Sequence, residues 1–217
     1  MIIQSRFPSV EIPSVSFSSF FMTQIQKYDR NSTALVSSHG CLTYGDLIDA
    51  IYHCTRGLVK LGVKPGVVVA IALPNSIEYP IAFLATLCAG ATVTTVNPSY
   101  TAKEIRHQLE HSKAFMAITN ASFSGTILQE AFPDSRLHPH LVIINDHGAS
   151  MPPLSSRVHA WCDVMRNDGS SLLVHVEPDA LAALPYSSGT TGLPKGVMLT
   201  HRNLVANICQ VGASLST

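Results

Sequence analysis

Residues 67–96 read VVVAIALPNSIEYPIAFLATLCAGATVTTV. Val67 to Leu73 is an unbroken apolar run rich in β-branched residues, the composition of a strand covered on both faces. Ile77 to Cys88 predicts a helix, Ala91 to Val96 a second strand, and Asn97-Pro98 a closing turn. The uncharged stretch Ile81 to Val96 is only 16 residues long, short of the ~20 that cross a bilayer, and Gly90 interrupts it. A buried helix running into a buried strand accounts for it, which makes the segment one β-α-β unit.

The alternation continues on both sides. Thr43-Tyr-Gly-Asp46 resembles a capping box with Asp in the usual Glu place. Leu47, Ile48, Ile51, Leu58 and Leu61 follow at helical spacing, and Gly62 stops the run. An earlier helix is expected over Phe20 to Tyr28, within the Ser- and Pro-rich residues 1–40. Thr101-Ala-Lys-Glu104 is a second capping box, opening a helix to about Ser112. Ala114 to Thr119 reads as strand, residues 122–132 as helix and Leu141 to Ile144 as strand. Residues 145–178, rich in Ser, Pro and Asp, read as a linker with a short helix around Val158 to Met165, anchored in the core by Trp161. Leu181 to Pro185 and Val197 to Leu199 are expected strands on either side of a small polar loop, and the last helix starts near Asn203. Together these imply an α/β fold of largely parallel sheets with helices on both faces. Residues 1–175 are expected to form a first layered subdomain, with 145–178 as its linker, and residues 179–217 to begin a second subdomain carrying the polar loop.

Lys and Arg number 14, as do Asp and Glu, so the formal net charge is zero. The lack of a basic surplus or a basic run argues against nucleic-acid binding driven by phosphate neutralisation. Charged residues make up 13% of the chain, about half the usual share. Such a low charge fits a membrane-associated chain, or a part whose remainder would cover its apolar faces. The five cysteines, Cys41, Cys54, Cys88, Cys162 and Cys209, are odd in number, widely spaced and form no CxxC. Reduced, mostly buried thiols and an intracellular location follow as expectations, with cytosol and peroxisome both open. The first residues lack a basic stretch followed by an apolar one, so they do not read as a signal peptide.

The chemistry is concentrated in Leu184-Pro-Tyr-Ser-Ser-Gly-Thr-Thr-Gly-Leu-Pro-Lys-Gly196. Gly189, Gly192 and Gly196 let the backbone approach an anion closely. Ser187, Ser188, Thr190 and Thr191 supply hydroxyl donors, and Lys195 adds a point charge suited to polyphosphate. The spacing from Gly189 to Lys195 is that of a Walker A loop, but Pro194 stands where a glycine precedes the lysine. Gly196 replaces the Ser/Thr that would hold magnesium, so a P-loop NTPase is a poor account.

This segment resembles the signature loop of the adenylate-forming, acyl-activating enzymes, which include acyl- and aryl-CoA synthetases, luciferases and peptide-synthetase adenylation domains. The longer stretch from Leu184 to Asn203 is most similar to the 4-coumarate–CoA ligase branch. Leu73-Pro-Asn-Ser76, Ala89-Gly-Ala91, Asn97-Pro-Ser-Tyr-Thr101 and Glu104 also match that branch. The resemblance implies an ATP-dependent ligase with a carboxylic acid, ATP and coenzyme A as partners. In it Ser187, Ser188, Gly189, Thr190, Thr191, Gly192 and Lys195 hold ATP, and Lys195 stabilises the departing pyrophosphate. Family members run far beyond Thr217. The resemblance therefore implies a partial N-terminal AMP-binding domain, inactive alone, with Mg2+ ligands elsewhere. A non-catalytic truncated product acting as a binding module is the main alternative. A fatty-acyl-CoA synthetase or luciferase-like member is another, differing in the acyl substrate.

His107-Gln-Leu-Glu-His111 spells the inverted zinc-protease motif H-x-x-E-H. No third ligand follows, so a solvated helix face is the expected reading. His201 is expected to be a hydrogen-bonded structural residue, and Tyr186 to pack beside the loop.

Overall fold

The computed structural model describes residues 9–38, 40–132, 139–145, 149–187 and 194–215. Helix α1 (Phe17–Ile25) begins at Phe17 rather than Phe20, because the Ser16 hydroxyl accepts from the Ser19 N–H and caps it. Strands β1 (Thr33–Ser37) and β2 (Gly40–Thr43) form a separate antiparallel hairpin. The first capping box is realised at the start of α2 (Tyr44–Lys60), where the Asp46 N–H donates to Thr43 Oγ1 and the Thr43 N–H donates back to Asp46, each at 3.1 Å. Strand β3 (Val68–Ala72), α3 (Glu78–Cys88) and β4 (Thr92–Thr95) form the expected β-α-β unit. The second capping box, Thr101 with Glu104, opens α4 (Ala102–His111). Then come β5 (Ala114–Asn120), α5 (Ala121–Gly125) running into a π-helical turn (Thr126–Ala131), and β6 (His140–Ile144).

The expected linker contains an extra strand. β7 (Val158–Ala160) pairs with β6, so Val158 is extended and only α6 (Trp161–Met165) is helical there. After β8 (Leu181–Ala183), the chain makes two short strands, β9 (Tyr186–Ser187) and β10 (Lys195–Gly196), that pair only with each other. β11 (Leu199–Thr200) then returns to β8. Val197 and Met198, expected in a strand, are where the chain changes pairing partner. Helix α7 (His201–Leu215) starts earlier than expected because Thr200 Oγ1 accepts from the Asn203 N–H at 3.2 Å.

The main sheet has seven strands in the order β11-β8-β4-β3-β5-β6-β7, parallel except for β11. The two stretches expected as separate subdomains meet in it, through Val93 of β4 opposite Ala183 of β8. Helices cover both faces. Val69 and Ile71 of β3 join one core with Ile51 and Leu58 of α2 and Leu84 and Leu87 of α3. Ala70 and Ala72 join the other with Ile105 and Leu109 of α4 and Ile127. A strand covered on both sides has no polar face to show, hence the unbroken apolar run in the sequence. Gly57 of α2 permits close contact with α6, since a Cβ there would run into Val164. Gly90 has φ +77°, and a Cβ would come within 2.9 Å of Pro65 Cγ.

Cys54 and Cys88 are buried, and burial pushes the Cys88 thiol up to about 12 and the Cys54 thiol up as well. Cys41 and Cys162 are exposed, on β2 and the first turn of α6, so the expectation of mostly buried thiols fails. No helix among the described residues is long and apolar enough to cross a membrane, and Ile81 to Val96 divides into α3 and β4.

Candidate functional site

Strand β8 carries the chain past β4, where the Leu184 N–H donates to Val93 O at 2.8 Å and Thr94 Oγ1 donates to Leu184 O at 2.7 Å. The β9–β10 hairpin follows, with Ser187 opposite Lys195 and Tyr186 opposite Gly196. Its base is closed by the Val197 N–H, which donates to Pro185 O at 2.8 Å. Gly196 lies against Tyr186, whose ring a Cβ would approach to 3.2 Å. Ser187 and Lys195 are both exposed, and none of the ion pairs among the described residues engages Lys195. Ser188, Gly189, Thr190, Thr191 and Gly192 lie outside the described residues. What the structure places is the frame: two ends of a Ser/Gly/Thr-rich segment held across one antiparallel pair, with an ammonium and a hydroxyl facing solvent.

Helix α4 packs against this frame. His111 Nδ1 is 2.6 Å from the Tyr186 hydroxyl, and His107 Nε2 is 3.4 Å from the Pro194 carbonyl. Between them Gln108, buried at 1% exposure, donates to Thr94 Oγ1 at 2.9 Å and Thr95 O at 3.0 Å. The two histidines are therefore not merely a solvated face, contrary to expectation, and Tyr186 does more than pack. Partial burial raises the Tyr186 pKa, which keeps the phenol protonated. Glu110, the acid of the H-x-x-E-H run, is paired with Arg106 at 2.9 Å. Among the described residues no three His, Cys, Asp or Glu side chains gather into a group that could hold a metal ion.

Just past β11, His201 is fully buried, and its Nδ1 accepts from the Phe17 N–H at 3.1 Å. The expected structural role thus has a specific form: a neutral imidazole tying the start of α7 to the start of α1. Burial lowers its pKa. Arg202 next to it pairs with Asp179 at 2.7 Å, and its N–H donates to Pro178 O at 2.7 Å.

The AMP-binding enzyme family matches this sequence over residues 21–216. The chain belongs to that family. It is 34% identical over 212 residues to a 4-coumarate–CoA ligase of Humulus lupulus, an alignment covering 96% of this chain and 37% of that protein. It is 40% identical over 154 residues to a 4-coumarate–CoA ligase of Pinus taeda, covering 71% of this chain and 27% of that one. The fold matches a long-chain-fatty-acid-CoA ligase of Archaeoglobus fulgidus with a TM-score of 0.83 and 24% identity, over 99% of this chain and 42% of that chain. A luciferase-like enzyme of Zophobas morio matches with a TM-score of 0.79 and 20% identity, over 93% and 46%. The chain thus spans 37% of the length of the first of these curated relatives.

In this AMP-binding family member the sheet also forms a groove that the sequence did not announce. Strand order reverses around β3, whose neighbours β4 and β5 are reached in opposite directions. At the ends of β3, β5 and β6 lies a groove of about 740 Å³ lined by Asn75, Ser76, Asn120 and Asn145. Ser76 Oγ is buried there without a partner among the described residues. Only Leu73-Pro-Asn-Ser76 carried a signal for it, and that signal read as a family match and not as a groove.

Proposed function

We propose that this chain carries the polyphosphate-holding part of an ATP-dependent carboxylic acid–CoA ligase of the 4-coumarate–CoA ligase type. The observation that carries this reading is the hairpin-framed loop, with Ser187 and Lys195 paired across its ends. In the reaction, a substrate carboxylate oxygen attacks the α-phosphorus of ATP. The bond to the bridging oxygen breaks, and pyrophosphate leaves with the electron pair. The thiolate of coenzyme A then attacks the acyl carbon and expels AMP, the thiol proton having gone to solvent. The role of Lys195 is electrostatic: its ammonium neutralises charge gathering on the β- and γ-phosphates as pyrophosphate departs. Ser187, with Ser188, Gly189, Thr190, Thr191 and Gly192, supplies donors to the same oxygens. Mg2+ accompanies ATP in this reading, and the described residues offer no cluster of ligands for it. Buried, unreactive Cys54 and Cys88 suit a reducing compartment, cytosol or peroxisome.

Alone, the chain is expected to bind ATP weakly and to form no acyl-CoA, because a phosphate loop supplies only part of a nucleotide's contacts. Calorimetric titration of ATP into the chain and into Lys195→Ala tests this. Weak binding that disappears in the variant supports the role, and equal binding in both removes Lys195 from the site. A second reading, a non-catalytic binding module, is favoured by the exposed apolar residues Ile208, Val211 and Leu215 of α7. Fatty-acyl-CoA synthetase and luciferase-like readings differ only in the acyl group.

A further inference from the structure

We propose that His107 and His111 are positioning residues that clasp both stems of the phosphate loop onto α4. The inference rests on the polyphosphate reading of that loop, but it concerns the scaffold that sets where Ser187 and Lys195 stand. On the entering stem, His111 Nδ1 meets the Tyr186 hydroxyl at 2.6 Å, and the two rings stand edge to face with centroids 5.7 Å apart. On the leaving stem, His107 Nε2 lies 3.4 Å from the carbonyl of Pro194. A carbonyl only accepts, so the imidazole hydrogen sits on Nε2 in that bond. Tyr186 immediately precedes Ser187, and Pro194 immediately precedes Lys195. Each contact is therefore one residue from a phosphate-holding side chain.

The spacing makes this possible. Residues four apart on a helix share a face, and the two imidazole rings lie 5.6 Å apart. Buried Gln108 adds a third tie at the loop's root, through Thr94 to the Leu184 carbonyl. The same arrangement explains why the H-x-x-E-H run is not a metal motif: His111 Nδ1 is engaged by Tyr186, and Glu110 is turned to Arg106. The strands that carry Ser187 and Lys195 are only two residues long, and fixing these two side chains on a ligand costs conformational entropy. Ties made before the ligand arrives lower that cost and so raise affinity.

Amide hydrogen exchange of the nucleotide-free 217-residue chain decides the point, read at Gly196 and Val197. His107→Ala, His111→Ala and Tyr186→Phe should each speed exchange about fivefold, the equivalent of one net hydrogen bond. The double variant His111→Ala/Tyr186→Phe should be no faster than either single one, because both remove the same bond. His111→Asn, which can place an amide where Nδ1 stands, should restore the original rate with an unchanged thermal midpoint. Unaltered exchange in both histidine variants would overturn the clasp, as would rates that simply multiply in the double variant. Exchange as expected in a chain that binds no ATP would instead overturn the polyphosphate reading and leave the clasp standing.

Discussion

The two sides of the sheet are held by different physics. From β3 to β6, the strands are buried between helices, and Val69, Ile71, Met116, Ile118, Leu141 and Ile143 have no exposed surface. On the β8–β11 side, strands are two or three residues long, and α7 buries only His201 and Val205. Ile208, Val211 and Leu215 of that helix face solvent, as do Val197 and Met198 before it. Ala182 and Val205 reach the apolar core from this side, and a set of individual hydrogen bonds adds to them: Thr94 to Leu184, Phe17 to His201, Asn203 to Thr200, and α4 to the hairpin. The central half is stabilised by apolar area, which tolerates no cavity. The other half depends more on polar geometry, and it leaves more side chains exposed at its surface.

Substitutions should expose that contrast. Ile71→Ala, at a fully buried position of β3, leaves a cavity in the core, and a loss of about 2 to 5 kcal/mol is expected in urea unfolding. A loss below about 1 kcal/mol would mean that the buried half is not close-packed. An intermediate effect should appear through pH at His201. Burial holds its folded-state pKa below the ordinary value, so as pH falls the unfolded chain takes up the proton first. Its neutral form therefore supports full stability above about pH 6.5, and stability declines as pH drops below that value towards the folded-state pKa. His159 is shifted in the same direction by burial, so His201→Gln should flatten only part of the decline in urea midpoints between pH 7.5 and 5.5. An unchanged slope in that variant would place the titrating group elsewhere. The smallest effect is expected at Ile208, 41% exposed on α7. Ile208→Ser should change stability by no more than about 0.5 kcal/mol, and a cost like that at Ile71 would show that the chain itself covers this face.

The same contrast decides what could be read in the sequence. The β3-α3-β4 unit and both capping boxes were legible, because the signals that make them are local. Thr43 and Asp46, like Thr101 and Glu104, are three residues apart and bond as their spacing implies. β7 escaped because three residues in a polar stretch carry no periodicity, and its place is given by register with β6. The Ser/Gly/Thr-rich segment was legible as composition and as a family likeness. Its support was not: His111 and Tyr186 are 75 residues apart, and His107 and Pro194 are 87 apart. Nothing in H-x-x-E-H tells a helix face bound to a hairpin from one turned to water.

On the proposed function, this chain recognises the phosphates of ATP through the segment between β9 and β10. Phosphorus NMR during titration with the chain tests it most directly, because each phosphate of the nucleotide reports separately. The β- and γ-phosphate resonances of ATP should shift and broaden, inorganic pyrophosphate should compete, and AMP should show no change at the same concentrations. AMP binding as strongly as ATP, or resonances of ATP that do not move at all, would contradict the claim.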